Sequence, residues 1–161
     1  MLKDVFLPKN VELGDSVFSE CTRFVDFYIP PGVKTIPNYA FAGCTGLKYI
    51  TFYPGTGLTK IGTGAFQGCK LKRVDIPEGV TEVGDEAFSR CEKLEAIIFP
   101  STMKDYGTGI VWHPSSRRAL IVFPLIFLAK DENDEPQDIQ LKYFDWGYFN
   151  EYPDRVEEKI K

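Results

Sequence analysis

The chain has 161 residues, 43% of them hydrophobic and 26% charged, enough for one domain with a sizeable core. Its formal net charge of −4 gives no electrostatic reason to expect nucleic acid or an anionic membrane as partner. No apolar run reaches the roughly 18 to 20 residues that cross a bilayer, and the longest, residues 119–129, contains Pro124.

From the N-terminus onward the same elements recur. Phe-x-x-Cys occurs at Phe18/Cys21, Phe41/Cys44, Phe66/Cys69 and Phe88/Cys91, with Cys intervals of 23, 25 and 22 residues. An independent ladder of Pro8, Pro30, Pro54, Pro77, Pro100 and Pro124 has intervals of 22, 24, 23, 23 and 24. Two ladders of one period in constant phase identify a repeat. After each Pro comes an apolar residue (Val11, Val33, Leu58, Val80, Met103) and then a second (Leu13, Ile36, Ile61, Val83, Tyr106). Gly14, Gly62, Gly84 and Gly107 usually follow, and Phe24, Leu47, Leu71 or Leu94 opens the segment that closes each cycle.

That closing segment, as in Leu94-Glu95-Ala96-Ile97-Ile98-Phe99, alternates with period two and ends at Pro, so it reads as a strand. Six such strands stack in parallel about 4.8 Å apart. The Ala-Phe-x-x-Cys segment is too short for a stable α-helix, and one tight helical or 3₁₀ turn is expected there, with Phe beneath it. No coil buries its apolar face alone, so stacking supplies the stability. The fifth cycle is degenerate, with Val111, Pro114 and Arg118 replacing Phe, Cys and Leu.

Residues 1–7 match the closing strand without the upstream half of a coil, so the stack is expected to start mid-repeat, as in a fragment of a longer protein. They also lack the basic start, apolar middle and cleavage site of a secretory signal. Residues 1–124 form the solenoid, about five repeats, and residues 125–161 a C-terminal aromatic cap or tail. Within the tail lie an acidic loop at 131–138, an aromatic stretch at 141–149 and the start of a short helix at 152–161.

The run Ile-Pro-x-x-Val-x-x-Ile-Gly-x-x-Ala-Phe-x-x-Cys-x-x-Leu-x-x-Ile resembles the BspA-like leucine-rich repeats of bacterial surface antigens, and residues 2–124 carry it. The resemblance implies an α/β-type repeat solenoid. Its right-handed leucine-rich-repeat coils would have a parallel concave β-sheet and short helical or 3₁₀ turns on the convex side. It also implies a role in adhesion or protein binding, and a place at the cell surface. Four unpaired Cys equally suit a reducing cytoplasm if the chain has its natural start here.

The sharper chemical readings fail on geometry. Tetrahedral zinc needs four thiolates around one point, whereas these Cys sit one per coil along a line, as buried free thiols. Neighbouring-coil disulfides would need cooperating rotamers. His113, the only histidine, lies in the degenerate coil beside Pro114, where a loop histidine is expected rather than a catalytic base. Gly55-Thr56-Gly57 and Gly62-Thr63-Gly64 complete no phosphate-loop motif and read as turns. Asp131, Asn133 and Glu135 begin a calcium-loop pattern that Pro136 breaks where Gly is required. No enzyme activity, metal or cofactor is expected.

What remains is a surface. In apolar-x-x-apolar-x-apolar, the third and fifth residues face away from the core. The third positions are Asp4, Asp26, Tyr49, Arg73, Ala96 and Leu120; the fifth are Phe6, Tyr28, Thr51, Asp75, Ile98 and Val122. The expected binding residues are Asp26, Tyr28, Tyr49, Thr51, Arg73 and Asp75, an acidic and aromatic mixture suited to a protein partner. The other end is apolar and is expected to be covered by the tail or by a partner. The chain is expected to be a monomer or weak oligomer that binds protein but neither nucleic acid nor the membrane interior. The alternative is a structural spacer of a longer multidomain protein.

Overall fold

A computed structural model describes residues 7–111 and the strand at 120–122. Along them each coil supplies a longer strand and a two-residue one. The longer strands are β1 (Asp26–Ile29), β3 (Tyr49–Phe52), β5 (Arg73–Asp75), β7 (Ala96–Ile98) and β9 (Leu120–Val122). These five are the ones read from the sequence; the sixth, at the N-terminus, lies outside the described residues. They pair in parallel, with Asp26 opposite Tyr49, Tyr28 opposite Thr51, Arg73 opposite Ala96 and Asp75 opposite Ile98. The third and fifth positions therefore form two columns, as the repeat alignment requires.

This main sheet divides into β1-β3 and β5-β7-β9. At the join, Lys70 N–H donates to the Leu47 carbonyl at 2.9 Å and Lys72 N–H to the Lys48 carbonyl at 3.2 Å. The coil there is one residue tighter, because Leu71 follows Cys69 by two positions where Leu47 follows Cys44 by three.

A second sheet was not foreseen. Two-residue strands β2 (Thr35–Ile36), β4 (Lys60–Ile61), β6 (Glu82–Val83) and β8 (Asp105–Tyr106) pair in parallel in that order. Two residues cannot display a period of two, so this ladder leaves no alternation in the sequence. Its apolar members were visible only as one more conserved phase of the repeat: Ile36, Ile61 and Val83, all buried and in register.

The turn side also differs from expectation. Among the described residues it contains hydrogen-bonded turns but no α- or 3₁₀-helix. Instead, positive-φ residues flank each Phe at two positions before it (Ser16, Tyr39, Gly64, Glu86) and two positions after it (Glu20, Gly43, Gly68, Arg90). A right-handed helix cannot pass through alternating left-handed residues. The amides divide the work accordingly. Ala40, Ala42 and Cys44 N–H close turns onto Pro37, Tyr39 and Phe41, while Tyr39, Phe41 and Gly43 N–H donate to Thr63, Ala65 and Gln67 of the next coil at 2.7–2.9 Å. Phe18 and Phe66 donate in the same way to Ala40 and Ala87. The turn side is thus a third inter-coil ladder.

The core lies between these three walls. Phe18, Phe41, Phe66 and Phe88 stack in a column with successive ring centroids 5.2 Å apart. The last two steps are tilted by only 5° and 8°, and each such pair adds roughly 0.5–1.5 kcal/mol beyond area burial. The Cys column explains itself beside it. The thiols of Cys44, Cys69 and Cys91 donate to the carbonyls of Phe18, Phe41 and Phe66 at 3.0, 3.1 and 3.2 Å. All four Cys are free; three are buried, and Cys21, in the first described coil, is half-buried. Burial pushes the Cys91 thiol up to about 12, and the Cys44 thiol, then burial, raises Cys69.

Glycine before the turn side answers to coil spacing. A Cβ on Gly84 would lie 2.6 Å from the Thr63 backbone nitrogen, and one on Gly62 would lie 2.8 Å from that of Asn38; Gly14, in the first described coil, meets nothing within 4 Å. The residue after this position bridges coils through its side chain. Asp15 Oδ1 accepts from Asn38 N–H at 3.1 Å, Asn38 Oδ1 from Thr63 N–H at 2.9 Å, and Asp85 Oδ1 from Thr108 N–H at 2.7 Å.

Gly84→Ala is expected to destabilise the fold by about 1–3 kcal/mol, since the clash is with backbone rather than a flexible side chain. Gly14→Ala should be near neutral. Equal urea midpoints for the two variants would show that coil spacing does not impose the glycine. The raised thiols make a second prediction. Their protonated form is favoured by folding, so their contribution is complete below the unfolded thiol value of about 8.5 and is lost as pH climbs from there. The urea midpoint should fall between about pH 8.5 and 10, less steeply in Cys91→Ala, and a native-state thiol reagent should label Cys21 first. Rapid labelling of Cys91 in the folded protein would contradict the assignment.

Candidate functional site

The outward positions of β1, β3 and β5 are where side chains from different coils meet. Asp26, Tyr28, Tyr49, Thr51, Arg73 and Asp75 are all exposed, with the alternate residues Phe27, Ile50 and Val74 buried behind them. Strand alternation and stacking register together bring these six side chains onto one face.

They do not form one uniform site. Arg73 and Asp75, two apart on β5, close on each other: Arg73 Nε donates to both carboxylate oxygens of Asp75 at 3.0 Å, and Nη2 lies 3.0 Å from Oδ1. The hydrogen bond to Asp75, then its charge, raises the Arg73 guanidinium above its ordinary value. This pair is locally neutral and fully exposed, so it supplies shape and hydrogen-bonding capacity rather than net charge.

The aromatic part is larger than the sequence reading made it. Tyr53 directly follows β3, is 51% exposed, and continues the alternation of Tyr49 and Thr51. Its N–H donates to the Ile29 carbonyl at 3.2 Å, extending the β1–β3 ladder by one step. Because Thr51 sits opposite Tyr28, Tyr49 and Tyr53 are the two diagonal neighbours of Tyr28. Diagonal Cα positions lie about 7–8 Å apart. Tyr28 is 59% and Tyr49 48% exposed, and no ring contact joins any two of the three. The sequence signal for Tyr53 was the 24-residue step from Pro30 to Pro54, two longer than the step before it.

Toward the C-terminal coils the face changes. Ala96 is 9% exposed and Ile98 is half-buried, and they pair with Leu120 and Val122. The positions of Asp4 and Phe6, residues 112–119 of the degenerate fifth coil with the lone His113, the acidic loop and the aromatic tail lie outside the described residues. Gly55, Gly57 and Gly64 all have positive φ, which makes them turn residues as read. Among the described residues no three His, Cys, Asp or Glu side chains are grouped to hold a metal ion. Nor, among them, is any helix long and apolar enough to cross a membrane.

Known proteins agree with this architecture. The BspA type leucine rich repeat region matches residues 11–116 in six copies. Among solved structures, the T. pallidum leucine rich repeat protein TpLRR is similar at 32% identity and a TM-score of 0.59, covering 62% of this chain and 46% of that one. The pneumococcal vaccine antigen PcpA shares the fold at 24% identity and a TM-score of 0.50, covering 63% of this chain and 33% of that one. The chain therefore spans less than half the length of either protein. Comparison with curated proteins returns no match. A repeat match over most of the described coils, a parallel-strand solenoid, and a Phe–Cys column in phase with it lead to one conclusion: the chain belongs to the BspA-type leucine-rich-repeat family.

Proposed function

We propose that this solenoid is a protein-binding or adhesion module, and that the main sheet around Tyr28, Tyr49, Tyr53 and Thr51 is the surface it uses. Asp26, Arg73 and Asp75 form the polar surround. One observation carries the reading: three tyrosines from two adjacent coils are each about half exposed, yet none stacks on another. Aromatic side chains that served only the sheet would gain by cross-strand contact. Held apart on a rigid backbone, they leave ring faces and hydroxyl groups for a second molecule at low entropic cost, as aromatic anchors of protein interfaces do. A spacer that merely separates other domains has no use for them.

The test compares purified protein with a Tyr28→Ala/Tyr49→Ala variant as bait, after circular dichroism has shown both to be folded. A partner captured by the parent should be lost by the variant. Two anchors of this kind carry about 2 kcal/mol each, roughly a thousandfold in affinity together if additive. Equal recovery would remove these tyrosines from the site, and no specific capture by either would favour the spacer.

A further inference from the structure

The chain is acidic overall, with a net charge of −4, yet one edge of the main sheet is basic. It lies where the turn side runs into the strands. Lys48 N–H donates to the Val25 carbonyl at 2.8 Å, Lys72 N–H to the Lys48 carbonyl at 3.2 Å, and Glu95 N–H to the Lys72 carbonyl at 2.7 Å. These bonds place Val25, Lys48, Lys72 and Glu95 in one column at coil spacing, with the two lysines as immediate neighbours. Arg23 precedes the column in the first described coil, two residues before Val25.

Like charges on adjacent strands repel, and a stable sheet places opposite charges there when stability alone decides. The second sheet does so: Lys60 on β4 meets Glu82 on β6 at 2.6 Å. The basic edge does so only at its end, where Glu95 follows Lys72, and it sets Lys48 and Lys72 side by side. Arg23, Lys48 and Lys72 are exposed and make no ion pair among the described residues, whereas the nearby Lys70 has Glu92 at 3.8 Å and Arg73 has Asp75. Lys48 is also the residue before Tyr49, so the lysine column lies at the N-terminal ends of the strands, next to the tyrosine face.

We propose that this edge receives an acidic peptide segment of a protein partner. Its carboxylates would lie on Arg23, Lys48 and Lys72, and its apolar or aromatic side chains against Tyr28 and Tyr49. The proposal rests on reading the main sheet as the binding face and names the chemistry of what it binds. A short acidic segment fits better than a long polyanion. Asp26 stands beside Tyr49, and Glu95 closes the lysine column, so a uniformly anionic polymer crossing the coils meets repulsion on both sides of the cations. A polyanion would also leave the tyrosine rings unused.

The experiment sorts a displayed library of short random peptides against the whole chain, against Lys48→Glu/Lys72→Glu and against Tyr28→Ala/Tyr49→Ala, with heparin retention measured in parallel. Peptides enriched on the parent should carry an acidic excess and weaken as salt rises. Charge reversal of the two exposed lysines should lower their affinity at least about tenfold, and the milder Lys48→Gln/Lys72→Gln should lower it less. Enriched peptides without acidic excess, bound equally by the lysine variants but lost by the tyrosine variant, would overturn the acidic-peptide proposal while leaving the binding face intact. Heparin retention without peptide enrichment would overturn it in favour of a polyanion. Peptides bound equally by every variant would overturn both the proposal and the face it rests on.

Discussion

Everything in this molecule follows from the distance at which one coil can lie on the next. Backbone hydrogen bonds fix that distance on three sides at once: the main sheet, the second sheet and the turn side. Strand pairing sets it near 4.8 Å, and the Phe rings at 5.2 Å occupy the interior at almost the same repeat. An offset aromatic stack and a parallel ladder are therefore compatible only because each coil places its Phe at the same phase. A coil that slipped by one residue would lose the stack, the thiol–carbonyl bonds and the main-sheet alternation together.

The same spacing decides which residue types each column tolerates. Where coils approach most closely, a Cβ has no room, so Gly62 and Gly84 stand there. Where a buried carbonyl takes one bond from its own coil and has capacity for a second, a small thiol from the next coil provides it: Cys44 on Phe18, Cys69 on Phe41 and Cys91 on Phe66. Where side chains reach solvent, like charges stack into repulsion and unlike charges into pairs. The Lys60–Glu82 pair and the unpaired Lys48–Lys72 neighbours are the two outcomes of one geometry. The first arrangement is the one that stacking favours.

How much of this could be read from the residues depends on how long each element is. The main-sheet strands run three or four residues, long enough for alternation to mark Phe27, Ile50 and Val74 as buried and Tyr28, Tyr49 and Arg73 as outward. The outward face of the main sheet was legible for that reason. The second sheet was not, because its strands are two residues long. The turn side misled for a different reason. Ala-Phe has helical propensity, but the flanking residues adopt positive φ, and where these are Tyr39, Glu86 or Arg90 rather than Gly the sequence gives no sign of it. Tyr53 escaped because it is the extra residue of a longer coil, and repeat alignment treats an extra residue as loop. The Cys were understood as buried thiols but not as donors, since the acceptor is a main-chain carbonyl about one coil upstream.

Membership in a repeat family fixes an architecture and leaves the ligand to the surface. Here that surface is built on rigid ladders, so its tyrosines are held rather than searched for, and the account stands or falls with those ladders. Residue-resolved amide hydrogen exchange tests them most directly. The account predicts strong protection at Tyr39, Phe41, Gly43, Gly64, Phe66 and Gly68, the turn-side amides that donate to the next coil, at a level matching β3 and β5. Exchange at these amides as fast as in exposed turns, while the main sheet stays protected, would mean that the turn side is not a ladder and that the coils are held on the sheets alone.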